Sequence, residues 1–216
     1  MQRPLIILGT GGNALDILDL VESLPRPWRV IGFLDDARPE GERVAGLPVL
    51  GRLGAARRLA ENPDAAFVNA IGSEASHRER LAIVAGTGLD QARFATLVHA
   101  GAAVSPRAVL GPGTCIHHGA SVAGQVVVGA HVTIGPGAIV GHDTVIEDGA
   151  VLAPGCIVSG FVRLGRSCYV GAGSALRQRV AIGDRALVGL GAVVLRDVPA
   201  GATVVGNPAR ILRRGA

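Results

Sequence analysis

The feature that most constrains the fold of this 216-residue chain is a six-residue periodicity in its C-terminal half. Reading every sixth residue from position 98 to position 194 gives seventeen consecutive branched aliphatic residues without one exception. They are Val98, Val104, Leu110, Ile116, Val122, Val128, Ile134, Val140, Ile146, Leu152, Val158, Leu164, Val170, Leu176, Ile182, Val188 and Val194. This register predicts a β-helix of hexapeptide repeats, in which each aliphatic side chain points inward from a short strand.

The residues around each aliphatic position support that fold. The position two before it is mostly Ala, Thr, Ser or Cys, which lets the chain pack closely beneath. The position after it is often Gly, and we expect these glycines to permit turn conformations closed to other residues. Three hexads make one triangular coil, so the register predicts between five and six coils at a spacing of roughly 4.8 Å. A repeat of this class is associated with the left-handed form of the β-helix.

The first hundred residues have a different pattern, in which short apolar runs alternate with helical spacing. Strands are predicted at residues 5–9, 30–34 and 65–71, and helices at 15–24, 53–61 and 77–85. Strands that alternate with helices indicate parallel βαβ units. The sequence therefore predicts an α/β domain with a small Rossmann-like parallel sheet over residues 1–95, followed by an all-β left-handed parallel β-helix over residues 96–216.

Composition narrows the class of protein. The chain is 49% hydrophobic but only 3% aromatic, so its core must consist of Val, Ile, Leu and Ala. No apolar run is long enough to span a membrane and no signal-peptide pattern is present, so we expect a cytoplasmic protein without membrane insertion. The net charge of +4 would suit nucleic acid, but aromatic residues that could stack on bases are scarce. The arginines therefore favour small polyphosphate ligands, and the three cysteines are expected to be reduced and buried.

Several motifs carry a family resemblance. The hexad region closes on Gly206-Asn207-Pro208-Ala209-Arg210, which resembles the hexapeptide acyltransferases that use acetyl-CoA. The N-terminal motifs are GTGGNA at residues 9–14, FLDD at 33–36 and AIG at 70–72. Together they resemble the nucleotide-sugar N-acetyltransferases of bacillosamine and perosamine precursors, a group that includes sialic-acid O-acetyltransferase-like proteins. The resemblance covers essentially the whole chain.

The resemblance implies acetyl-CoA as co-substrate, no metal, and a homotrimer with its active sites between subunits. It implies an acceptor that is a UDP- or GDP-linked amino-deoxysugar, such as a 4-amino-4,6-dideoxyhexose. It also implies that acetyl-CoA lies along the groove between adjacent β-helices. The matching contact positions are Gly160, Ala172 and Leu190, with Pro208 near the adenine end.

In this family the N-terminal domain holds the nucleotide, and the motifs here have the chemistry to do so. Glycines at the start of a helix let backbone amides approach an anion, which the helix dipole also favours. Carboxylates at the end of the second strand can accept hydrogen bonds from a ribose or a base. The turn lacks the third glycine of a dinucleotide fingerprint, so NAD is not expected. The expected substrate-binding residues are Gly11, Gly12, Asn13, Asp35, Asp36 and Gly72.

The pair His142-Asp143 is the candidate for chemistry. An amine that attacks a thioester must lose a proton, and a neutral imidazole oriented by a carboxylate is suited to accept it. His142 stands two residues after the inward Val140, so we expect its side chain to project from a turn and not into the core. The resemblance assigns His142 as the general base and Asp143 as its partner, with backbone N–H groups stabilising the oxyanion.

The sequence leaves three alternatives open. The first is an O-acetyltransferase acting on a sugar or sialic acid. The second is a zinc-dependent, carbonic-anhydrase-like β-helix, which would need imidazoles from His117, His118 or His131 to converge across a subunit boundary. The third is a nucleotide-sugar-binding or scaffold protein without catalysis. The nucleotide, the sugar and the acetylated position also stay open at this stage.

Overall fold

The computed structural model describes residues 2–25 and 28–213 of the chain. Its N-terminal part is built on a three-stranded parallel sheet of order β2-β1-β5, which confirms the predicted alternation of strands and helices. The helices predicted over 53–61 and 77–85 each begin as a 3-10 turn, at Leu53–Ala55 and His77–Glu79. The elements are β1 (Arg3–Leu8), α1 (Gly12–Glu22), β2 (Trp28–Leu34), β3 (Arg43–Val44), β4 (Leu47–Pro48), α2 (Ala56–Leu59), β5 (Ala66–Asn69) and α3 (Arg80–Gly86).

From Leu97 the chain winds as a parallel β-helix of two-residue strands. Each aliphatic residue of the hexad register is the second residue of one strand, as the sequence predicts. The division into domains at residue 95 stays a prediction. The strands are β6 (Leu97–Val98), β7 (Ala103–Val104), β8 (Val109–Leu110), β9 (Cys115–Ile116), β10 (Ser121–Val122), β11 (Val127–Val128), β12 (Thr133–Ile134), β13 (Ile139–Val140), β14 (Val145–Ile146), β15 (Val151–Leu152), β16 (Ile157–Val158), β17 (Arg163–Leu164), β18 (Tyr169–Val170), β19 (Ala175–Leu176), β20 (Ala181–Ile182), β21 (Leu187–Val188) and β22 (Val193–Val194).

The β-helix has three faces, each a sheet in which paired parallel strands from β6 to β22 are 18 residues apart, as in the pairing of Val122 with Val140. Face 1 contains β6, β9, β12, β15, β18 and β21, followed by β23 (Thr203–Val205) and β24 (Arg210–Arg213). Face 2 contains β7, β10, β13, β16, β19 and β22, and face 3 contains β8, β11, β14, β17 and β20. The turns between them form corner 1/2, corner 2/3 and corner 3/1.

The glycines that follow the strands act differently from our expectation. Gly111 and Gly141 do not have positive φ, so they are not needed for a left-handed turn. They are needed because adjacent coils approach closely: a Cβ on Gly141 would lie only 2.5 Å from the backbone N of Gly160. The left-handed conformation occurs two residues later instead, at every sixth residue from Gly113 to Gly191.

A buried arginine joins the N-terminal elements to the β-helix. The fully buried Arg80 donates from Nη1 to the carbonyl of Ile71 (2.7 Å), from Nε to that of His131 (3.1 Å) and from Nη2 to Oγ1 of Thr133 (2.8 Å). Burial lowers its pKa to about 10, so it remains charged at neutral pH. One guanidinium therefore fixes how α3 and the segment after β5 sit on the β-helix.

The three cysteines are free and buried, as expected from the sequence. Burial raises the pKa of the Cys115, Cys156 and Cys168 thiols to about 12, so they stay protonated and inert at neutral pH. Across residues 2–25 and 28–213, no helix has both the length and the apolar content needed to cross a bilayer.

Candidate active site

His142 and Asp143 form a hydrogen-bonded pair on corner 2/3, between β13 and β14. The distance from His142 Nδ1 to Asp143 Oδ2 is 2.7 Å, and 57% of the His142 side chain is exposed. An ionised carboxylate only accepts hydrogen bonds, so the neutral imidazole carries its proton on Nδ1 and leaves the lone pair of Nε2 free. The His142 side chain thus projects from the turn and not into the core, as the sequence predicts.

Gly160 lies beneath the His142 ring in the next coil. A Cβ on Gly160 would lie 2.9 Å from His142 Nε2 and 3.2 Å from the His142 carbonyl oxygen. Any larger residue would therefore push the imidazole away from the surface of the coil. Gly160 was expected from the sequence as a contact to acetyl-CoA, and the structure places it directly against the candidate base.

Corner 2/3 differs from corner 1/2 at its left-handed turn positions. Corner 1/2 has glycine there in five successive coils (Gly119, Gly137, Gly155, Gly173 and Gly191). Corner 2/3 has a side chain in four successive coils: Gln125 (φ 62°), Asp143 (φ 56°), Phe161 (φ 59°) and Arg179 (φ 69°). We call these four residues the corner 2/3 column. The left-handed conformation costs a non-glycine residue roughly 1–2 kcal/mol, and corner 3/1 has three such residues as well, His131, Ser167 and Arg185.

One member of this column contacts His142, and a second member contacts the first. The ring of Phe161 stands at 87° to that of His142, with their centroids 5.1 Å apart. The guanidinium carbon of Arg179 lies 4.3 Å from the centroid of Phe161. Our sequence reasoning missed both residues. Reading every eighteenth residue from Gln125 would have found them, because no glycine occupies this turn position.

A second candidate feature is a cleft of about 170 Å³ between the N-terminal elements and face 1. The side chain of Asn69 is buried at the cleft, where its Oδ1 accepts from the backbone N of Ile71 (2.9 Å). Its Nδ2 has no hydrogen-bond partner among the described residues. Side chains from both parts of the chain line the cleft, including Asn13, Asp16, Glu74, His117, Thr133 and Tyr169.

Four of the predicted substrate-binding residues, Gly11, Gly12, Asn13 and Gly72, lie at or beside this cleft. Asn13 and Gly72 line it, and Asn13 Nδ2 donates to the carbonyl of Ala70 (3.1 Å). Gly11 is the N-cap of α1 and Gly12 its first residue. A Cβ on either glycine would meet no atom within 4 Å, so the space in front of the helix is open to a ligand.

The carboxylates of Asp35 and Asp36 connect the loop after β2 to neighbouring segments. Asp35 accepts hydrogen bonds from Oγ1 of Thr10 and from the backbone N of Ala37. Asp36 accepts from the backbone N of Leu53 (3.0 Å). Neither residue lines the cleft described above. Each carboxylate keeps further lone pairs, so these bonds leave acceptor capacity for a ligand.

The residues expected to contact acetyl-CoA lie on different parts of one chain. Gly160 is on corner 2/3, whereas Ala172 and Leu190 stack 18 residues apart on corner 1/2. Pro208 follows β23 and lines a groove of about 480 Å³ at the end of the β-helix, beside Arg196. One chain therefore does not bring all four residues together.

The remaining histidines have structural surroundings. His131 is buried against the ring of Phe94, with centroids 4.6 Å apart, and burial lowers its pKa to about 4. Burial also lowers the pKa of His117. The rings of His99 and His118 lie 5.7 Å apart. In the described part of the chain, no group of three or more His, Cys, Asp or Glu residues is arranged to hold a metal ion.

Comparison with known families and structures assigns the class. Residues 4–83 match the PglD N-terminal domain, and residues 125–160 match the bacterial transferase hexapeptide (six repeats). The chain is 31% identical to the acetyltransferase domain of PglB from Neisseria gonorrhoeae FA1090, with a TM-score of 0.87 over 98% of this chain and 100% of that one. A search of curated proteins found no match.

Two further structures are similar along nearly the whole chain. One is a histidine-to-asparagine variant of perosamine N-acetyltransferase from Caulobacter crescentus, in complex with CoA and GDP-perosamine (27% identity, TM-score 0.88, 98% of this chain and 97% of that one). The other is WeeI from Acinetobacter baumannii AYE (26% identity, TM-score 0.76, 96% and 99%).

The fold and these matches define a left-handed β-helix acetyltransferase that uses acetyl-CoA, which confirms the predicted enzyme class and co-substrate. The chain belongs to the bacterial hexapeptide-repeat acetyltransferase family whose members carry a PglD N-terminal domain, the bacillosamine and perosamine type.

Proposed function

We propose that this protein transfers the acetyl group of acetyl-CoA to the amino group of a nucleotide-linked amino-deoxysugar, with His142 as general base. The observation that carries the proposal is the exposed His142–Asp143 pair, whose hydrogen bond leaves Nε2 free to take a proton. The relative from Caulobacter crescentus, solved with CoA and GDP-perosamine together, supports a UDP- or GDP-linked 4-amino-4,6-dideoxyhexose as acceptor.

His142 would act twice in this reaction. Its Nε2 removes a proton from the amine as the amine nitrogen attacks the thioester carbonyl carbon, and Asp143 stabilises the resulting imidazolium. When the C–S bond breaks, the same imidazolium returns the proton to the departing CoA sulfur. Backbone N–H groups stabilise the oxyanion between these two steps. The net result is an amide and a free CoA thiol, with no metal and no covalent enzyme intermediate required.

The cleft and the open helix N-terminus support binding of a nucleotide sugar. Gly11 and Gly12 leave the first turn of α1 accessible to a phosphate, which the helix dipole stabilises. The unpartnered Nδ2 of Asn69 offers a buried donor to a polar ligand in the cleft. We propose that Asp35 and Asp36 use their remaining lone pairs to accept from the nucleoside.

The outer surface of the β-helix supports a homotrimer. Faces 2 and 3 present exposed aliphatic side chains from adjacent strands, including Val109, Val127, Ile139 and Ile157. A second copy of the chain would remove this apolar surface from water. In a cyclic trimer, corner 2/3 of one subunit can also face corner 1/2 of the next, which brings Gly160 together with the other expected CoA contacts. A cytoplasmic location stays a prediction.

The test is turnover by His142→Ala and His142→Asn, measured as CoA thiol release with a panel of UDP- and GDP-linked amino sugars. We expect kcat to fall on the order of 10²- to 10⁴-fold, with unchanged affinity for acetyl-CoA and nucleotide sugar in thermal-shift titrations. His118→Asn, which changes another exposed imidazole, serves as the control and should keep wild-type turnover. Near wild-type kcat in both His142 variants would exclude the general-base role.

The panel also includes sugars that offer only a hydroxyl group. Acetyl transfer to these acceptors, with no transfer to amines, would replace the proposed activity with the O-acetyltransferase alternative.

A further inference from the structure

Phe161 occupies a position that its own contribution to folding does not explain. It adopts a left-handed backbone conformation, which is unfavourable for a bulky side chain, whereas corner 1/2 has glycine at the same position in every coil. Phe161 is 37% exposed and lies outside the apolar core of the β-helix. The ring instead contacts His142 on one side and the Arg179 guanidinium on another.

The His142 imidazole needs a second constraint to stay in one orientation. The hydrogen bond from Nδ1 to Asp143 fixes one ring atom, but the ring is exposed and can still tilt about this bond. Gly160 beneath it has no side chain to hold the ring. The perpendicular Phe161 ring supplies that contact, and the backbone N of Phe161 also donates to the His142 carbonyl (2.9 Å).

Arg179 in turn restrains Phe161. Its guanidinium lies over the aromatic ring, where a cation is attracted to the π-face. Its backbone N donates to the carbonyl of Gly160 (3.2 Å), the residue beneath the imidazole. Three residues of the corner 2/3 column, namely Asp143, Phe161 and Arg179, therefore constrain His142 from successive coils.

We propose that Phe161 is a positioning residue for acetyl transfer, which holds Nε2 of His142 over Gly160 and is itself held by Arg179. This inference rests on the proposed role of His142 as the general base. Without the aromatic ring, the imidazole would spend less time in the orientation that reaches the amine, so kcat would fall while ligand binding would not change.

Phe161→Gly tests this proposal because it should change kcat and the Tm in different ways. Glycine relieves the left-handed backbone, so the Tm should stay equal or rise, whereas kcat should fall roughly 10- to 100-fold. The KM for acetyl-CoA and for the sugar nucleotide should stay unchanged. Phe161→Tyr keeps the ring and should retain wild-type kcat. Ser167→Gly makes the same backbone change (φ 50°) on corner 3/1, a different corner from His142, and should leave kcat unaltered.

A double-mutant cycle separates this proposal from the proposed function. If Phe161 acts through His142, Phe161→Gly should cause no further loss of kcat in a His142→Ala background. Equal losses in both backgrounds, or a lower Tm with a parallel rise in both KM values, would overturn the positioning role. Wild-type turnover by His142→Ala alone would instead show that the general-base assignment is wrong.

Discussion

His131 should make the stability of this protein depend on pH. Its ring is buried on corner 3/1 against Phe94, and its Nδ1 has no hydrogen-bond partner among the described residues. Burial and the nearby Arg80 charge lower its pKa from 6.5 to about 4, and the opposing effect of Asp148 is smaller. The folded protein therefore keeps this imidazole neutral under conditions in which the unfolded chain protonates it.

The sign and size of the effect follow from these two pKa values. Between pH 6.5 and about pH 4 the unfolded state binds more protons than the folded state, so the free energy of unfolding falls as the pH falls. The contribution of His131 is fully present above pH 7.5. About 2 kcal/mol of it should be lost at pH 5, and about 3 kcal/mol below pH 4.

His131→Asn removes the titrating group and keeps the backbone, because asparagine tolerates the left-handed conformation at this position (φ 56°). Urea unfolding is followed by the fluorescence of Trp28, the only tryptophan, at pH 7.5 and pH 5.0 and at one protein concentration. From pH 7.5 to pH 5.0, the free energy of unfolding should fall by about 2 kcal/mol more in the wild type than in the variant. The stability of both proteins should still depend on pH to some extent, since burial also lowers the pKa of His77 and His117.

Ser167→Asn provides the matched control. Ser167 occupies the same corner two coils later, is buried and is also left-handed (φ 50°), but it does not titrate. This variant should keep the wild-type pH dependence even if its absolute stability changes. An equal loss in the free energy of unfolding of His131→Asn and the wild type between pH 7.5 and pH 5.0 would show that His131 is not the source of the effect.

Three further predictions concern the site. Asp143→Asn keeps a residue that tolerates the left-handed turn, so it should lower kcat less than His142→Asn does, on the order of 10-fold; unchanged kcat would exclude an orienting role. Gly11→Val fits the backbone (φ −72°) and should raise the KM for the sugar nucleotide about 10-fold without affecting acetyl-CoA; equal loss of both ligands would mean misfolding. Ile139→Glu on face 2 or Val127→Glu on face 3 should reduce turnover in proportion to trimer loss in light scattering, and a fully active monomer would contradict an interfacial site.

The strands of the β-helix could be predicted because one side chain per hexad must point inward. Val140 and Val158 show the six-residue register directly in the sequence. A polar residue at such a position would be buried without a hydrogen-bond partner. The function of the glycines could not be predicted from the same pattern. Gly141 stands one residue and Gly155 three residues after an inward aliphatic residue, but only the folded coils show that the first permits close approach of two coils and the second permits a left-handed turn.

The candidate site was only partly predictable for a similar reason. His142 and Asp143 are adjacent in sequence, so their pairing is local and could be foreseen. The partners of Asp36 and Arg80 lie in segments that are distant in sequence, and only the folded chain shows that Asp36 is bonded to the backbone of Leu53. Phe161 stands 19 residues after His142, and its contact arises because consecutive coils lie one above the other.

The reversal of chain direction at β24 has a consequence for how these molecules behave at high concentration. Every pairing within the β-helix is parallel until β23, whose outer edge pairs with β24 in the antiparallel sense. At the other end, α1 lies against β6. An open parallel edge at both ends would let one solenoid continue end to end into the next, and so polymerise into filaments. On face 1 the reversed last strand therefore presents an edge of the wrong polarity to an incoming parallel strand, which disfavours fibre growth at that edge.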